Sequence, residues 1–395
     1  MTRSDQRRQG GEGLRVAVYT DYAYHRVGEA VYAERAFALF LAALAERSER
    51  LVLAGRLAPG AERGRYPIGE RIEFVALPYY ERLTHPLSAI RGMLGSLRRL
   101  WRTLDDVDVA WLLGPHPLAV AFAVLARLRR RRVVLGVRQD TPSYVRNRHP
   151  RRPLLWAVAW ALDAAYRLLG RFSAVVVVGP ALAARYRPSR ALLEIAVSLV
   201  SESEIVPADV AGARSYAGEL TALSVGRLDA EKNPALLADV LAELDGDEPG
   251  WRLLVCGEGP LEADLRGALE RRGVAERAEL RGYVPLDAGL RELYASSHAF
   301  LHVSWTEGLP QVVFEAFAAG LPVVATDVGG IAGAVGDAVL LVPAGDASAA
   351  AGGLRRIAGD GELRGRLVAA GFELVRSRTI ESETAAVADF LEGRG

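Results

Sequence analysis

The sequence predicts an α/β protein built from two doubly wound domains. Short apolar, β-rich runs alternate with helix-length segments, the alternation breaks once near the middle, and 395 residues suit two domains of nearly 200 each. Met1 to Gly13 is polar and Gly/Arg-rich, lacks the apolar run of a signal peptide, and is expected to be a disordered tail. Leu14–Tyr19 reads as the first strand and about Val31 to Arg47 as the helix after it. Leu51–Ala54, Ile72–Ala76, Val109–Leu113, Val133–Val137 and Ala174–Val178 are further runs of the kind a parallel sheet buried on both faces requires. Polar and Gly/Ser residues then replace the apolar pattern over Ser198–Glu219. The scheme resumes with Thr221–Val225, Arg252–Cys256, Ala278–Arg281, Ala299–Val303, Pro322–Ala325 and Ala338–Val342. The expected layout is a tail at 1–13, a first domain at 14–197, a linker at 198–219, a second domain at 220–372, and a C-terminal helix at 373–395 packing back on the first domain.

Composition narrows the function classes. Half the residues are hydrophobic, enough for a full core in each domain, and the single cysteine, Cys256, excludes a disulfide framework and fits a reducing cytoplasm. The longest greasy stretch, Leu154–Leu169, is interrupted by Asp163 and Arg167 and falls short of a membrane span, so the protein is expected in the cytoplasm, at most peripheral at the inner face of a membrane. A net charge of +1 hides an asymmetry: residues 1–190 carry 32 arginines against 16 carboxylates, and residues 191–395 carry 17 basic side chains against 32. The basic half suits an anionic membrane surface or an acidic acceptor. Nucleic acid is not expected, because neither zinc-ligand spacing nor an aromatic-rich basic strand occurs.

Of the 49 basic residues, 48 are arginine, and the one lysine is Lys232. Lysine resists replacement by arginine where a compact ammonium must meet a phosphate as a point charge; the alternative is that one lysine simply escaped drift. Its neighbours favour the first view. Thr221–Val225 is a strand, Gly226-Arg227 leaves it as a loop, and Asn233 as N-cap with Pro234 in the first turn predicts a helix over Ala235–Leu244. Lys232 then lies just before a helix N-terminus, and Arg227 is placed to reach the same spot, which suits a diphosphate.

The sharpest motif is Glu307-Gly308-Leu309-Pro310-Gln311-Val312-Val313-Phe314-Glu315. Glu307 ends a loop, Gly308 allows a tight backbone, and Pro310 starts a helix that stops at Gly320. Amides near Leu309 and Gln311 are expected to point outward, and Glu315, among apolar neighbours, needs a fixed partner. Two carboxylates flanking a helix N-terminus suit a sugar nucleotide, hydroxyls on the carboxylates and phosphate on the amides. Gly257-Glu258-Gly259-Pro260 after the strand ending at Cys256 is weaker and serves equally as a plain turn.

Taken in order at strand ends, Arg227 with Lys232, Gly257-x-Gly259-Pro260 and Glu307-Gly308-x-Pro310…Glu315 resemble the retaining glycosyltransferases of family 4. Asp327-Val328-Gly329-Gly330 and Leu340 to Asp346 look like that family too. The resemblance covers residues 221–347 specifically and 14–195 mostly in topology. It implies the GT-B architecture, two Rossmann-like domains facing a central cleft, and transfer of a sugar from a nucleotide-diphosphate donor to a hydroxyl acceptor. It implies that Arg227 and Lys232 bind the donor diphosphate, Glu307 the sugar hydroxyls and Glu315 the ribose. Gly308, Leu309, Pro310, Gly259 and Gly28 would complete the donor site, with Tyr283 and Val284 bordering the base. No cofactor and no metal is expected.

Departures fall mostly in the first domain, with one in the second, Gly333 where a glutamate is usual after Gly329-Gly330. Two glycines common after the first strand become Gly28-Glu29; a histidine common after the strand Val133–Val137 becomes Arg138-Gln139-Asp140; and Leu113 stands where another histidine is frequent, with His116 three residues on. His116, Arg138 and Asp140 are therefore the acceptor-side candidates, His116 serving equally as a simple loop residue. His298 and His302 have metal-pair spacing but no third ligand, and Asp106-Val107-Asp108 reads as a surface turn. The rival readings are a non-catalytic nucleotide-sugar-binding member of the fold and a glycosidase using Glu307 and Glu315. Leu87, Ile90, Leu94, Leu97, Trp101 and Leu104 form one apolar helical stripe interleaved with Arg91, Arg98, Arg99 and Arg102. That helix could lie on an anionic leaflet or pack its stripe on the first domain's sheet.

Overall fold

The computed structural model describes residues 13–60, 64–80, 86–149, 151–307 and 310–394. The chain divides into two compact units, one running to Val197 and resuming at Ile380, the other spanning Ser198–Thr379.

In the first unit the elements run β1 (Arg15–Val27), β2 (Ala30–Ala33), α1 (Phe37–Glu46), β3 (Arg50–Leu57), β4 (Tyr66–Pro67), β5 (Ile72–Leu77), α2 (Pro86–Thr103), β6 (Val109–Gly114), α3 (Pro117–Leu128), β7 (Arg132–Val137), α4 (Thr141–Arg148), α5 (Pro153–Gly170), β8 (Ala174–Val178), α6 (Pro180–Tyr186) and β9 (Ala191–Ile195). The parallel body of the sheet is ordered β5-β3-β1-β6-β7-β8-β9. The chain moves outward from β1 to β3 and β5 and returns at β6 on the other side of β1. The β1/β6 boundary is thus the switch point, where ligands of such sheets bind beyond the strand ends.

The segment expected to be helical from Val31 is corrected at its start. β1 continues past an irregularity between Tyr19 and Ala23, turns at Gly28-Glu29 and pairs antiparallel with β2, Tyr24 opposite Ala33 and Val27 opposite Ala30. Val31 and Tyr32 fit either element, and the pairing partner in the same hairpin decides for strand. Gly28, at φ +61°, supplies the left-handed turn position, and a Cβ there would meet open space.

One face of this sheet is covered by α2, α3, α5 and α6, whose Leu100, Phe122, Tyr166 and Leu182 pack on Tyr19, Leu112, Leu135 and Val175. α2 buries only part of the expected stripe, with Leu104 in the core and Leu97 packed against it. Leu100 and Ser96 are buried, whereas Leu94 is 64% and Trp101 37% exposed; the side chains of Leu87 and Ile90 lie outside the described residues. Gly92 and Gly95 let α2 approach closely along the other face, where Cβ atoms would touch Tyr80 and Pro78 at 3.0 Å, so the small-residue side wins the contact.

The last helix of the chain, Ile380–Glu392, packs on α1 and closes the first unit. Glu383 accepts the Ala196 N–H at 2.8 Å, and Arg132 donates to the Phe390 and Leu391 carbonyls at 2.9 and 3.1 Å, satisfying part of the helix end. The helix preceding it, Gly361–Ser377, belongs to the second unit, so the boundary falls at Thr379/Ile380 rather than at 373.

The second unit carries α7 (Ala208–Gly212), β10 (Leu220–Val225), α8 (Ala235–Glu243), β11 (Trp251–Cys256), α9 (Glu262–Arg271), β12 (Ala278–Leu280), α10 (Arg291–Ser296), β13 (Ala299–His302), α11 (Gln311–Ala318), β14 (Val323–Thr326), α12 (Ile331–Val335), β15 (Val339–Val342), α13 (Ala347–Gly359) and α14 (Gly361–Ser377); the terminal helix of the first unit is α15. Its sheet is parallel throughout, ordered β12-β11-β10-β13-β14-β15, with a switch point between β10 and β13. Residues 198–219, expected as a linker, fold onto this unit. Val206 N–H donates to the Ala318 carbonyl at 2.8 Å, and Arg214 reaches the Ala319 and Gly320 carbonyls at 3.1 and 2.7 Å.

Candidate active site

The β10/β13 switch point gathers the sequence-predicted donor residues of the second unit. After β10 the chain does not run straight into α8. Ala230–Lys232 forms a short 3-10 turn, and Asn233, expected as an N-cap, adopts a left-handed conformation at φ +50°. Pro234 then precedes the first helical residue, Ala235. The extra turn points Lys232 back over the strand ends.

Two neighbouring loops hold this one in place. Gly226 N–H donates to Cys256 O at 3.0 Å, Leu228 N–H to Glu258 O at 2.9 Å, and Trp305 N–H to Glu231 O at 2.8 Å. That proximity explains the Gly257-x-Gly259 pair: a Cβ at Gly257 would lie 1.8 Å from the Gly226 carbonyl oxygen, and one at Gly259 2.3 Å from that of Leu228. Gly329 is needed likewise, its Cβ position falling 2.0 Å from the Glu307 carbonyl oxygen. Gly257 N–H also bonds Gly282 O at 2.7 Å, which brings half-buried Tyr283 and Val284 beside the same loop.

Lys232 and Glu307, 75 residues apart, form an ion pair. Their side chains are 22% and 8% exposed, so water screens this pair weakly. Lys232 Nζ, His302 Nε2 at 2.8 Å and Ser304 Oγ at 2.6 Å all converge on one oxygen of Glu307, Oε1. Burial alone would raise the Glu307 carboxyl; the hydrogen bond from His302 and the charge of Lys232 outweigh it and hold the group down at about 2. Arg227 was expected beside Lys232. It lines the same pocket, but its guanidinium is half exposed and paired with Asp229 and, at 3.5 Å, Glu231. Both cations are thus held by carboxylates. The pocket beneath is lined by Ser224, Gly226, Arg227, Lys232, His302 and Ser304.

His302 and Ser304 had no assigned role in the sequence reading. The available signal was position: Leu301 and Val303 face the core, while His302 ends β13 at the ligand edge. The metal-pair spacing with His298 dissolves, since His298 Nδ1 accepts the Thr221 N–H at 2.9 Å at the start of the strand. Among the described residues no cluster of three or more His, Cys, Asp or Glu is arranged to hold a metal.

Glu315 lies one turn into α11, whose N-cap Pro310 is extended. Tyr294, only 2% exposed, donates its hydroxyl to Glu315 Oε2 at 2.9 Å. Burial pushes the Glu315 carboxyl above its ordinary range, and the Tyr294 hydrogen bond offsets this in part. Gly308 and Leu309, with the amides expected there, lie outside the described residues.

In the first unit the acceptor-side candidates separate. His116 is not a loose loop residue: it caps α3, is 7% exposed, and its Nδ1 accepts the Leu118 N–H at 3.2 Å and the Tyr19 hydroxyl at 2.9 Å. Its Nε2 faces the Tyr80 hydroxyl at 3.2 Å, and burial lowers the ring to about 4, leaving it neutral. Asp140 caps α4 through Ser143 and pairs with Arg185 at 3.1 Å, a positioning duty within the unit. Arg138 lies at the end of β7 between the Tyr22 and Phe37 rings. Gly28 sits in the β1–β2 turn rather than before a helix.

Residues 208–374 match the sequence family described as Glycosyl transferases group 1. A D-inositol 3-phosphate glycosyltransferase of Segniliparus rotundus is 36% identical over 141 residues, which cover 34% of this chain and 31% of that protein's length. Among solved structures, sucrose-phosphate synthase of Thermosynechococcus elongatus superposes over 96% of this chain and 98% of its own with a TM-score of 0.72 at 17% identity. Anabaena Alr3699/HepE, solved in complex with UDP-glucose, does so over 96% and 100% with a TM-score of 0.67 at 16% identity. The fold is GT-B, and over residues 208–374 the chain is similar to the group 1 glycosyl transferases.

Proposed function

We propose that this chain, a GT-B protein whose residues 208–374 match the group 1 glycosyl transferases, transfers a sugar from a nucleotide-diphosphate donor to a hydroxyl acceptor with retention of anomeric configuration. The observation that carries the reading is the convergence of Lys232, His302 and Ser304 on Glu307 at the switch point of the second unit. A diphosphate suits this place because Lys232 offers a point charge and Arg227 a fork, the two groups able to stabilise charge as it develops on the leaving diphosphate. That charge supply makes the reaction independent of a divalent ion in this reading. Glu307 then takes a sugar hydroxyl, and Glu315, steadied by Tyr294, takes the ribose. That Alr3699/HepE binds UDP-glucose supports a nucleotide-sugar donor here.

Front-face attack follows from the same inventory. Among the described residues the carboxylates around the pocket are engaged, Glu307 at Oε1 by three donors and Asp229 and Glu231 by Arg227, so in this reading the departing phosphate accepts the proton of the attacking hydroxyl. Incubating the full chain with a panel of nucleotide-diphosphate sugars and hydroxyl acceptors, and reading the product's anomeric signal by proton NMR, tests the proposal. Retained configuration is expected. Absence of both transfer and donor hydrolysis would favour a non-catalytic binder, and cleavage of a nitrophenyl glycoside would favour a glycosidase.

The acceptor side is read as peripheral to an anionic membrane. Among the described residues no helix is long and apolar enough to cross one. The outer faces of the adjacent helices α2 and α3 instead expose Leu94, Trp101 and Leu128, with Arg129 stacked 3.9 Å over the Trp101 ring. Wedge-like apolar side chains among arginines suit an anionic interface. Co-sedimentation with anionic but not neutral vesicles is expected, abolished by salt and by replacing Arg98 and Arg102; absence of binding at low salt would leave a soluble acceptor.

A further inference from the structure

Arg138 is held unlike the other described arginines packed into the first unit. Its guanidinium carbon lies 4.5 Å from the centre of the Tyr22 ring and 4.6 Å from that of Phe37. Arg56 directs its N–H groups to the Asp21 and Tyr80 carbonyls, Arg131 to those of Leu104 and Asp105, and Arg185 to Asp163 and Asp140. Among the described residues no carboxylate or carbonyl takes a hydrogen bond from Arg138. Aromatic rings engage the faces of a guanidinium, but its five N–H groups lie in the plane and remain available at the edge. A cation anchored this way is oriented in advance, with its bidentate edge unused.

Its place in the fold gives that edge a purpose. Arg138 is the residue after β7, at the carboxyl end of the parallel strands, and Tyr22 belongs to the extension of β1 past the sheet. Both border the β1/β6 switch point, where His116 and Tyr80 also lie. A second cation, Arg35, stands 5.7 Å from the Tyr22 ring centre. Asp21, next to Tyr22 in sequence, forms no ion pair with either arginine among the described residues.

We propose that Arg138, assisted by Arg35, binds an anionic group of the acceptor, a phosphate or carboxylate carried on the same molecule as the hydroxyl that receives the sugar. This rests on the glycosyl-transfer reading and adds the chemical class of the acceptor. A donor phosphate has the same chemistry, and the experiment separates the two sources.

The full chain is saturated with UDP, which occupies the donor's diphosphate position, and inorganic phosphate is then titrated in by calorimetry. Wild type is expected to bind phosphate with UDP present. Arg138→Gln is expected to weaken that binding about tenfold or more, the loss of a charge-assisted contact, and Arg35→Gln to weaken it less. Arg138→Met, which keeps the stem between the two rings, guards against a folding artefact and is expected to show the same loss. Unchanged phosphate affinity in both Arg138 variants overturns the proposal, and so does abolition of phosphate binding by UDP, which would give the anion to the donor. Failure of wild type to bind UDP at all would count against the transferase reading instead, because the phosphate titration without UDP still reports on Arg138.

Discussion

Replacing Lys232 tests the centre of the second-unit site. The Glu307 carboxyl sits at about 2 against an ordinary 4.5, so its partners favour the ionised form by about 3 kcal/mol beyond the cost of burial. His302 supplies the largest favourable share and Lys232 the next. Lys232→Met should therefore destabilise the protein by roughly 1–2 kcal/mol at neutral pH, because it leaves an 8% exposed carboxylate with only His302 and Ser304 as partners. Glu307→Gln should cost a similar amount alone. Made together, the changes remove both charges, and the double variant should recover roughly 1 kcal/mol relative to the sum of the singles. Urea unfolding followed by a probe in the second unit measures all four proteins. Additivity within about 0.5 kcal/mol would refute the coupling and with it the view that Lys232 is held by Glu307 until a diphosphate competes for it. The same competition predicts that Glu307→Gln binds nucleoside diphosphate no more weakly than wild type while losing transfer.

Three further outcomes follow from the geometry. Since the folded Glu307 carboxyl lies below its unfolded value, its contribution to stability is complete above about pH 4.5 and is lost as pH falls toward 2; the melting temperature of Glu307→Gln should fall less steeply over that window. Tyr294→Phe removes the hydroxyl that steadies Glu315 and should weaken nucleoside-diphosphate binding several-fold, as should Glu315→Gln, with wild-type affinity in both variants counting against the ribose assignment. Gly329→Ala should destabilise the second unit severely because its Cβ falls on the Glu307 carbonyl, whereas Gly28→Ala, whose Cβ meets open space, should cost only about 1 kcal/mol of left-handed strain.

What the sequence made legible follows from which interactions are local. Strands buried on both faces appear as unbroken apolar runs such as Val133–Val137, and the sheet places them as read. The β1–β2 hairpin stayed hidden because Val31-Tyr32 satisfies helix and strand alike until Tyr24–Val27 pairs with it. Lys232 stood out by its composition alone, yet its partner lies 75 residues away and nothing local announces the pairing. His302 carried no role in the sequence beyond a spacing with His298 that a strand cannot use, since residues four apart along a strand stand roughly 13 Å apart; its partner Glu307 comes from the loop beyond the strand. The α2 stripe misled for another reason. Its apolar side chains have the right period, but Gly92 and Gly95 permit the closer approach, and Pro78 and Tyr80, just past β5, take that face.

Calorimetric titration of the full chain with UDP, comparing wild type with Lys232→Ala and Lys232→Arg, addresses the central claim most directly. The account predicts binding by wild type and a loss of about tenfold or more in both variants, the arginine failing because a planar fork does not replace a point charge paired with the Glu307 oxygen that His302 and Ser304 also hold. Equal affinity in all three proteins, or none in wild type, would contradict it.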